Sequence, residues 1–399
     1  MATLVIGART EVERRTVAGR PIGDRDGGRL LWIDAVRGGL ALLVVLHHAG
    51  QPYGPGGDWP VLEAVRDSAL GPFFAVNASF FMGLFFLISG AFLPGAYDRK
   101  GGAAFLRDRA LRLGAPLLFF GLAVFGPIAF LEHRQEGGHR GFWGFFLQDY
   151  LGGRGVEIGH LWFLAHLLVY AVAYAAWRRV GGRRAASLGA GWPMPGNRAL
   201  LLFALALATV TYAVRLRFPI DRWDRLLGVV PAEVAHLPQY AGLVVVGILA
   251  ARGDWLRRFP TATGMAWLRV GLAAAGVRYA YALPFGDRLP SIFAEGGAGW
   301  RAALRSGWEA LLCVGLCAGL LVLARERLER PGRAWRLLAE NAYGVYVMHI
   351  WVVVALQFGL VGVGLPPLVK FALVSLAGIP LSIAVSALIL RLPGARRLL

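Results

Sequence analysis

Apolar residues in this chain gather into runs close to the length of a bilayer crossing. Short stretches rich in Arg, Gly and Pro separate them. A helix needs about 20 apolar residues to cross hydrocarbon. The pattern therefore predicts about ten transmembrane helices, near 31–50, 73–94, 115–131, 159–177, 199–214, 237–251, 265–283, 303–324, 339–360 and 367–390. The polar, basic residues 1–29 resemble the start of a leader peptide. The apolar run after them ends in His47-His48-Ala49-Gly50 without a small-x-small cleavage pattern, so it reads as a retained first helix. The expected fold is an all-α, polytopic membrane bundle spanning residues 30–391, with a basic tail (1–29) before it and a short tail (392–399) after it.

Composition supports this fold class and removes others. Of 399 residues, 57% are hydrophobic and 17% charged, and mean hydropathy is +0.55. Ordinary globular chains have roughly 45–50% and 25%, so a soluble fold could not cover this much apolar surface. Disorder fails for the same reason. The net charge of +18 would suggest nucleic acid on a soluble protein. Here the basic residues sit in the breaks between apolar runs. The tails and loops on one side hold 28 Lys and Arg, and the loops on the other side hold 12. That bias places both termini in the cytoplasm and leaves no reason to expect a nucleic-acid partner. Cys313 and Cys317 are i and i+4 on one apolar run, which makes neither a disulfide framework nor a metal site. There is no internal repeat of the kind paired transporter halves show, and no nucleotide-binding or metalloprotease motif.

The chemistry begins where charge interrupts hydrocarbon. The first run reads Trp32-Ile33-Asp34-Ala35-Val36-Arg37-Gly38-Gly39 and ends in His47-His48. Ionisable side chains inside a span are costly and mark functional sites by default. Eleven residue steps lead from Arg37 to His48, three helical turns plus about 20°, so the two share a face. Asp34 lies one turn before Arg37 and can pair with it. Gly38 and Gly39 let a helix or a ligand come close. His47 is turned about 100° from His48 and should face elsewhere. A structural ion pair with interfacial histidines is the bland alternative. Four further elements carry candidates. Ser89-Gly90 closes the second run as a packing pair or a hydrogen-bond donor. Arg107, Arg109 and Arg112 precede Pro116, where they orient the loop or bind phosphate. The fourth run opens His160-Leu161-Trp162-Phe163-Leu164, with His166 on another face. The ninth carries Tyr343, Tyr346 and His349 at i,i+3 spacing, as a polar stripe or a hydrogen-bonded core.

Taken in order, these elements resemble the bacterial membrane acyltransferase family 3, in particular its glucan-modifying succinyltransferase branch. The matching residues are Asp34 to Gly38 with His48, Phe85 to Gly90, Arg107 to Arg112 ahead of Pro116, His160 to Leu164, and Tyr343 to Tyr346 with His349. They run through about residues 30–390. The resemblance implies a multi-pass acyltransferase domain over residues 30–391 in the bacterial cytoplasmic (inner) membrane. Its donor would be cytoplasmic acyl-CoA (acetyl-CoA or succinyl-CoA), its acceptor a hydroxyl of a glycan or glycolipid, and no metal would take part. His48 would be the general base, with an ordinary His pKa near 6.5 suited to that work. Arg37 would hold the donor or stabilise the oxyanion, and Asp34 would orient it. Arg107, Arg109 and Arg112 would bind coenzyme A phosphates. Ser89, His160, Trp162, Tyr346 and His349 are substrate-side candidates. The rival expectation is a transporter of a glycan, a lipid-linked substrate or a small molecule, with the same polar residues lining a pathway.

Overall fold

The computed structural model describes residues 30–395 except 57–58, 136, 155, 227 and 286–291. The tail expected over 1–29, and the last four residues of the tail expected over 392–399, lie outside the described residues.

The long helices are α1 (Leu31–Gly50), α2 (Phe81–Lys100), α3 (Gly102–Phe130), α4 (Trp162–Ser187), α5 (Asn197–Arg215), α6 (Leu237–Arg252), α7 (Thr261–Phe285), α8 (Trp300–Arg327), α9 (Arg333–Phe358) and α10 (Pro367–Ile389). α3 is not uniform, because its turns widen to π geometry at Ala110–Gly114 and Gly121–Phe125. A small antiparallel hairpin, β1 (Trp223–Leu226) and β2 (Val230–Glu233), joins α5 to α6, with Trp223 opposite Glu233 and Leu226 opposite Val230. Among the described residues nine helices are long and apolar enough to cross a membrane, and α7 is the long helix left out. Arg269 and Arg278 lower its hydropathy.

Helix directions show that α7 crosses as well. α1 and α9 run parallel: a Cβ on Gly38 would lie 2.9 Å from the Leu338 Cβ, and further along both helices His48 meets His349. α5 and α8 run antiparallel: Arg215 meets Glu309, while Ala204 packs in a cluster with Val314. Counting crossings reproduces both directions only if α7 is one of them. α7 also runs antiparallel along α8, with Gly264 facing Val322 and the Ala274 carbonyl accepting from the Trp308 indole at 2.8 Å. Ten crossings bring the two ends of the bundle to one side, as the loop charges anticipated.

Lipid tails are as apolar as leucine, so close packing rather than hydrophobic gain must hold such helices together. α2 and α6 show how close they come. A Cβ on Gly90 would stand 2.3 Å from the Val244 carbonyl oxygen, and one on Gly247 would stand 2.0 Å from that of Leu87. Only residues without side chains allow this contact.

Candidate active site

Three histidines far apart in sequence meet in the half of the bundle away from the start of α1. His48 is near the end of α1, His160 is in the 3-10 turn Gly159–Leu161 that opens α4, and His349 is in α9. His48 Nδ1 and His349 Nε2 are 2.8 Å apart. Their ring centroids are 5.0 Å apart with planes 25° from parallel. That separation is close to the nitrogen contact plus the two ring radii, so the rings meet edge to edge and do not stack. His349 is fully buried. Its Nδ1 lies 2.8 Å from the Tyr346 carbonyl and 3.1 Å from that of Val345. His160 Nε2 lies 3.0 Å from the Val347 carbonyl, and its ring stands edge-on to His349 at 5.2 Å. The Tyr346 hydroxyl donates to the His160 carbonyl, which clips the start of α4 onto the middle of α9.

Two residues outside the candidates named from the sequence complete the cluster. The Trp59 indole lies nearly parallel to the His48 ring, 5.3 Å between centroids, and donates to Gln357 Oε1 at 2.8 Å. The Gln357 amide donates in turn to the carbonyls of His48 and Ala49, at 2.9 and 3.2 Å. One buried side chain thus holds both the last turn of α1 and the loop residue beside its imidazole. His47 turns away, as expected, and packs among Phe73, Phe74 and Phe81.

The other end of α1 is basic. Arg37 is 3.4 Å from Asp34. Arg109 is near enough to both Arg37 and Arg112 to feel their charge. Arg109 lies over the Phe105 ring at 5.4 Å, and its Nε is shielded from solvent with no hydrogen-bond partner among the described residues. Arg112 is 3.6 Å from Asp108 and sits in the first widened turn of α3, where its carbonyl accepts from the Tyr343 hydroxyl at 2.6 Å. Arg107 is exposed. Gly38 and Gly39 face Leu338 and Trp335, so they serve helix packing and leave no opening for a ligand.

The structure does not bring every candidate to the histidines. Gly90, the neighbour of Ser89, lies at the α2–α6 crossing against the Val244 backbone, so it serves packing. Trp162 belongs to a neighbouring aromatic group. It lies nearly parallel to Tyr240 at 5.6 Å and edge-on to Trp223 at 5.8 Å. Among the described residues, no three His, Cys, Asp or Glu side chains are arranged to hold a metal ion.

No curated protein and no solved structure matches the chain. A family model described as an acyltransferase domain (family 3) matches residues 30–391, more than nine-tenths of the sequence. The match settles what the buried histidines and the cytoplasm-type charge pattern left open between transport and group transfer: the chain belongs to acyltransferase family 3 and is a membrane acyltransferase.

Proposed function

We propose that this enzyme moves a small acyl group, acetyl or succinyl, from cytoplasmic acyl-CoA to a hydroxyl of a glycan or glycolipid in a bacterial inner membrane. One observation carries the reading: a single helix, α1, links a basic end to a buried histidine end. At one end the charges of Arg37 and Arg112 both act on Arg109. His48 at the other end is held by His349. Eleven residue steps of helix separate Arg37 from His48 by about 16 Å. Coenzyme A carries its phosphates at one end of a long flexible arm and its thioester at the other. The arginines suit the phosphates, since a guanidinium can take an anion with two parallel hydrogen bonds. The unpartnered Nε of Arg109 favours an anion there. The arm then carries the thioester towards His48 while the nucleotide stays on the cytoplasmic side.

His48 takes the proton from the acceptor hydroxyl as its oxygen attacks the thioester carbonyl. The carbon–sulfur bond breaks as the tetrahedral intermediate collapses. The leaving thiolate then takes the proton from the imidazolium, which yields ester and free coenzyme A. Arg37, paired with Asp34, holds the donor side in register for that attack.

Purified protein tests the reading. With acetyl-CoA or succinyl-CoA and an envelope glycan fraction, wild type should release free thiol and add the matching mass to the glycan. His48→Ala, expressed and folded normally, should do neither. Undiminished transfer by that variant would remove His48 as the base.

A further inference from the structure

We infer that His349 is a positioning residue that fixes which nitrogen of His48 carries the proton. This rests on the reading of His48 as the base, and it follows from the hydrogen-bond chain alone. His349 Nδ1 faces the carbonyl oxygens of Tyr346 and Val345, at 2.8 and 3.1 Å. A carbonyl oxygen only accepts, so Nδ1 must bear the hydrogen. A neutral imidazole has one N–H, which leaves His349 Nε2 with a lone pair. That lone pair faces His48 Nδ1 across 2.8 Å. Two lone pairs do not share so short a distance, so His48 Nδ1 is the donor. The lone pair of His48 is therefore held on Nε2, the nitrogen His349 does not touch.

The consequence is chemical. A histidine base needs its lone pair free to meet an incoming hydroxyl. In the other tautomer, the lone pair of His48 would point at His349 and no substrate proton could reach it. When Nε2 takes a proton, Nδ1–H continues to donate to His349, so the same contact steadies the imidazolium. In a serine protease triad a carboxylate does this job for the histidine. Here a second, neutral imidazole does it, its own tautomer set by two carbonyls of its helix. His160 does not compete for the position, because its Nε2 is directed at the Val347 carbonyl.

Two substitutions separate this role from simple packing. In His349→Gln, one amide can do both tasks: its NH2 donates to the Val345 and Tyr346 carbonyls, which turns its oxygen towards His48 Nδ1. In His349→Leu, bulk remains but the acceptor is gone. Steady-state kinetics with acetyl-CoA should show kcat for His349→Leu lowered about 100-fold or more, the scale lost when a positioned base is mis-set. KM for acetyl-CoA should stay within about threefold of wild type. His349→Gln should recover at least about tenfold of the lost kcat. A folded His349→Leu enzyme with near-normal kcat overturns the inference. So does a folded His349→Gln enzyme as inactive as His48→Ala, a result that stays decisive if the leucine variant fails to fold. His48→Ala run alongside isolates the underlying reading: activity there removes the base itself, whereas loss there with normal His349→Leu removes only the positioning role.

Discussion

The guanidinium of Arg215 lies 2.5 Å from the carboxylate of Glu309, sealed between α5 and α8. Arg305 reaches the second carboxylate oxygen at 3.0 Å. Taking charges out of water is costly, and removing one partner of a buried pair typically costs about 3–5 kcal/mol because the other is left uncompensated. Glu309→Gln should therefore lower the unfolding temperature sharply and reduce folded yield. Arg215→Met with Glu309→Met should recover part of the loss, since the two apolar side chains leave no stranded charge at the buried pair and only the partly exposed Arg305 loses a partner. Thermal unfolding in detergent checks this. A Glu309→Gln protein as stable as wild type would mean that the pair contributes nothing.

The crossing of α2 and α6 makes a second claim. Adding a methyl group to Gly247 must push the helices apart, because Leu87 backbone occupies the space. Overpacking of this kind costs about 1–3 kcal/mol. Gly276 in α7 has nothing within 4 Å of its Cβ position, and alanine there should gain up to about 1 kcal/mol from helix propensity. Gly247→Ala should lose monodisperse protein on size exclusion while Gly276→Ala keeps it. Equal behaviour of the two would sink the close-packing account.

Asp221 supplies a pH dependence outside the spans. It precedes the hairpin with φ 65°, and its backbone amide donates to Glu233 Oε1 at 2.8 Å. Desolvation, then the nearby carboxylates of Glu233 and Glu295, push its carboxyl above the usual 3.8. The folded state therefore binds this proton more tightly than the unfolded one. Stability falls as pH rises from the ordinary value through the raised one, and the penalty is complete at neutral pH. Asn tolerates the left-handed backbone and removes the charge. Asp221→Asn should raise the unfolding temperature slightly at pH 7, and the gain should shrink towards pH 4. A gain that does not change over that range would contradict the electrostatic cause.

What could be read from the sequence, and what could not, follows the range of each interaction. The opposed faces of His47 and His48 are a matter of 100° per residue, and the structure follows that geometry. So does the Asp34–Arg37 pair at i,i+3. The tenth crossing was legible as an apolar run even though Arg269 and Arg278 dilute it. Trp59 was not legible, because it sits in an aperiodic loop and its partner Gln357 lies 298 positions away. The lone amide in the apolar stretch from Val352 to Phe358 was the one available sign. Arg215 looked like a loop charge that helps orient the chain. Its partner is 94 positions on, and nothing local announces that it is buried. For Gly90 the packing partner is the Val244 backbone, more than 150 positions away, and nothing local in the sequence names it.

The basic end of α1 gives the most direct test of donor binding. Arg109 is half-buried against Phe105, with its Nε unpartnered among the described residues, while Arg107 is exposed and free to sample solvent. A held guanidinium loses less freedom on binding an anion than a mobile one. Arg109→Ala should therefore raise KM for acyl-CoA about 10–100-fold, equivalent to about 1.4–2.7 kcal/mol, with a smaller effect on kcat. Arg107→Ala should raise it less than about threefold, as expected of a solvent-screened charge. Tyr343→Phe removes the hydroxyl that holds the Arg112 carbonyl and so loosens the widened turn of α3. It should fall between the two and act through KM. The pattern comes from the geometry of one short segment, and kinetics against acyl-CoA concentration read it out. If Arg107→Ala proved the most damaging of the three, the phosphates would have to bind on the outer face of α3, away from Arg37, and the arm from basic end to histidine end would lose its anchor.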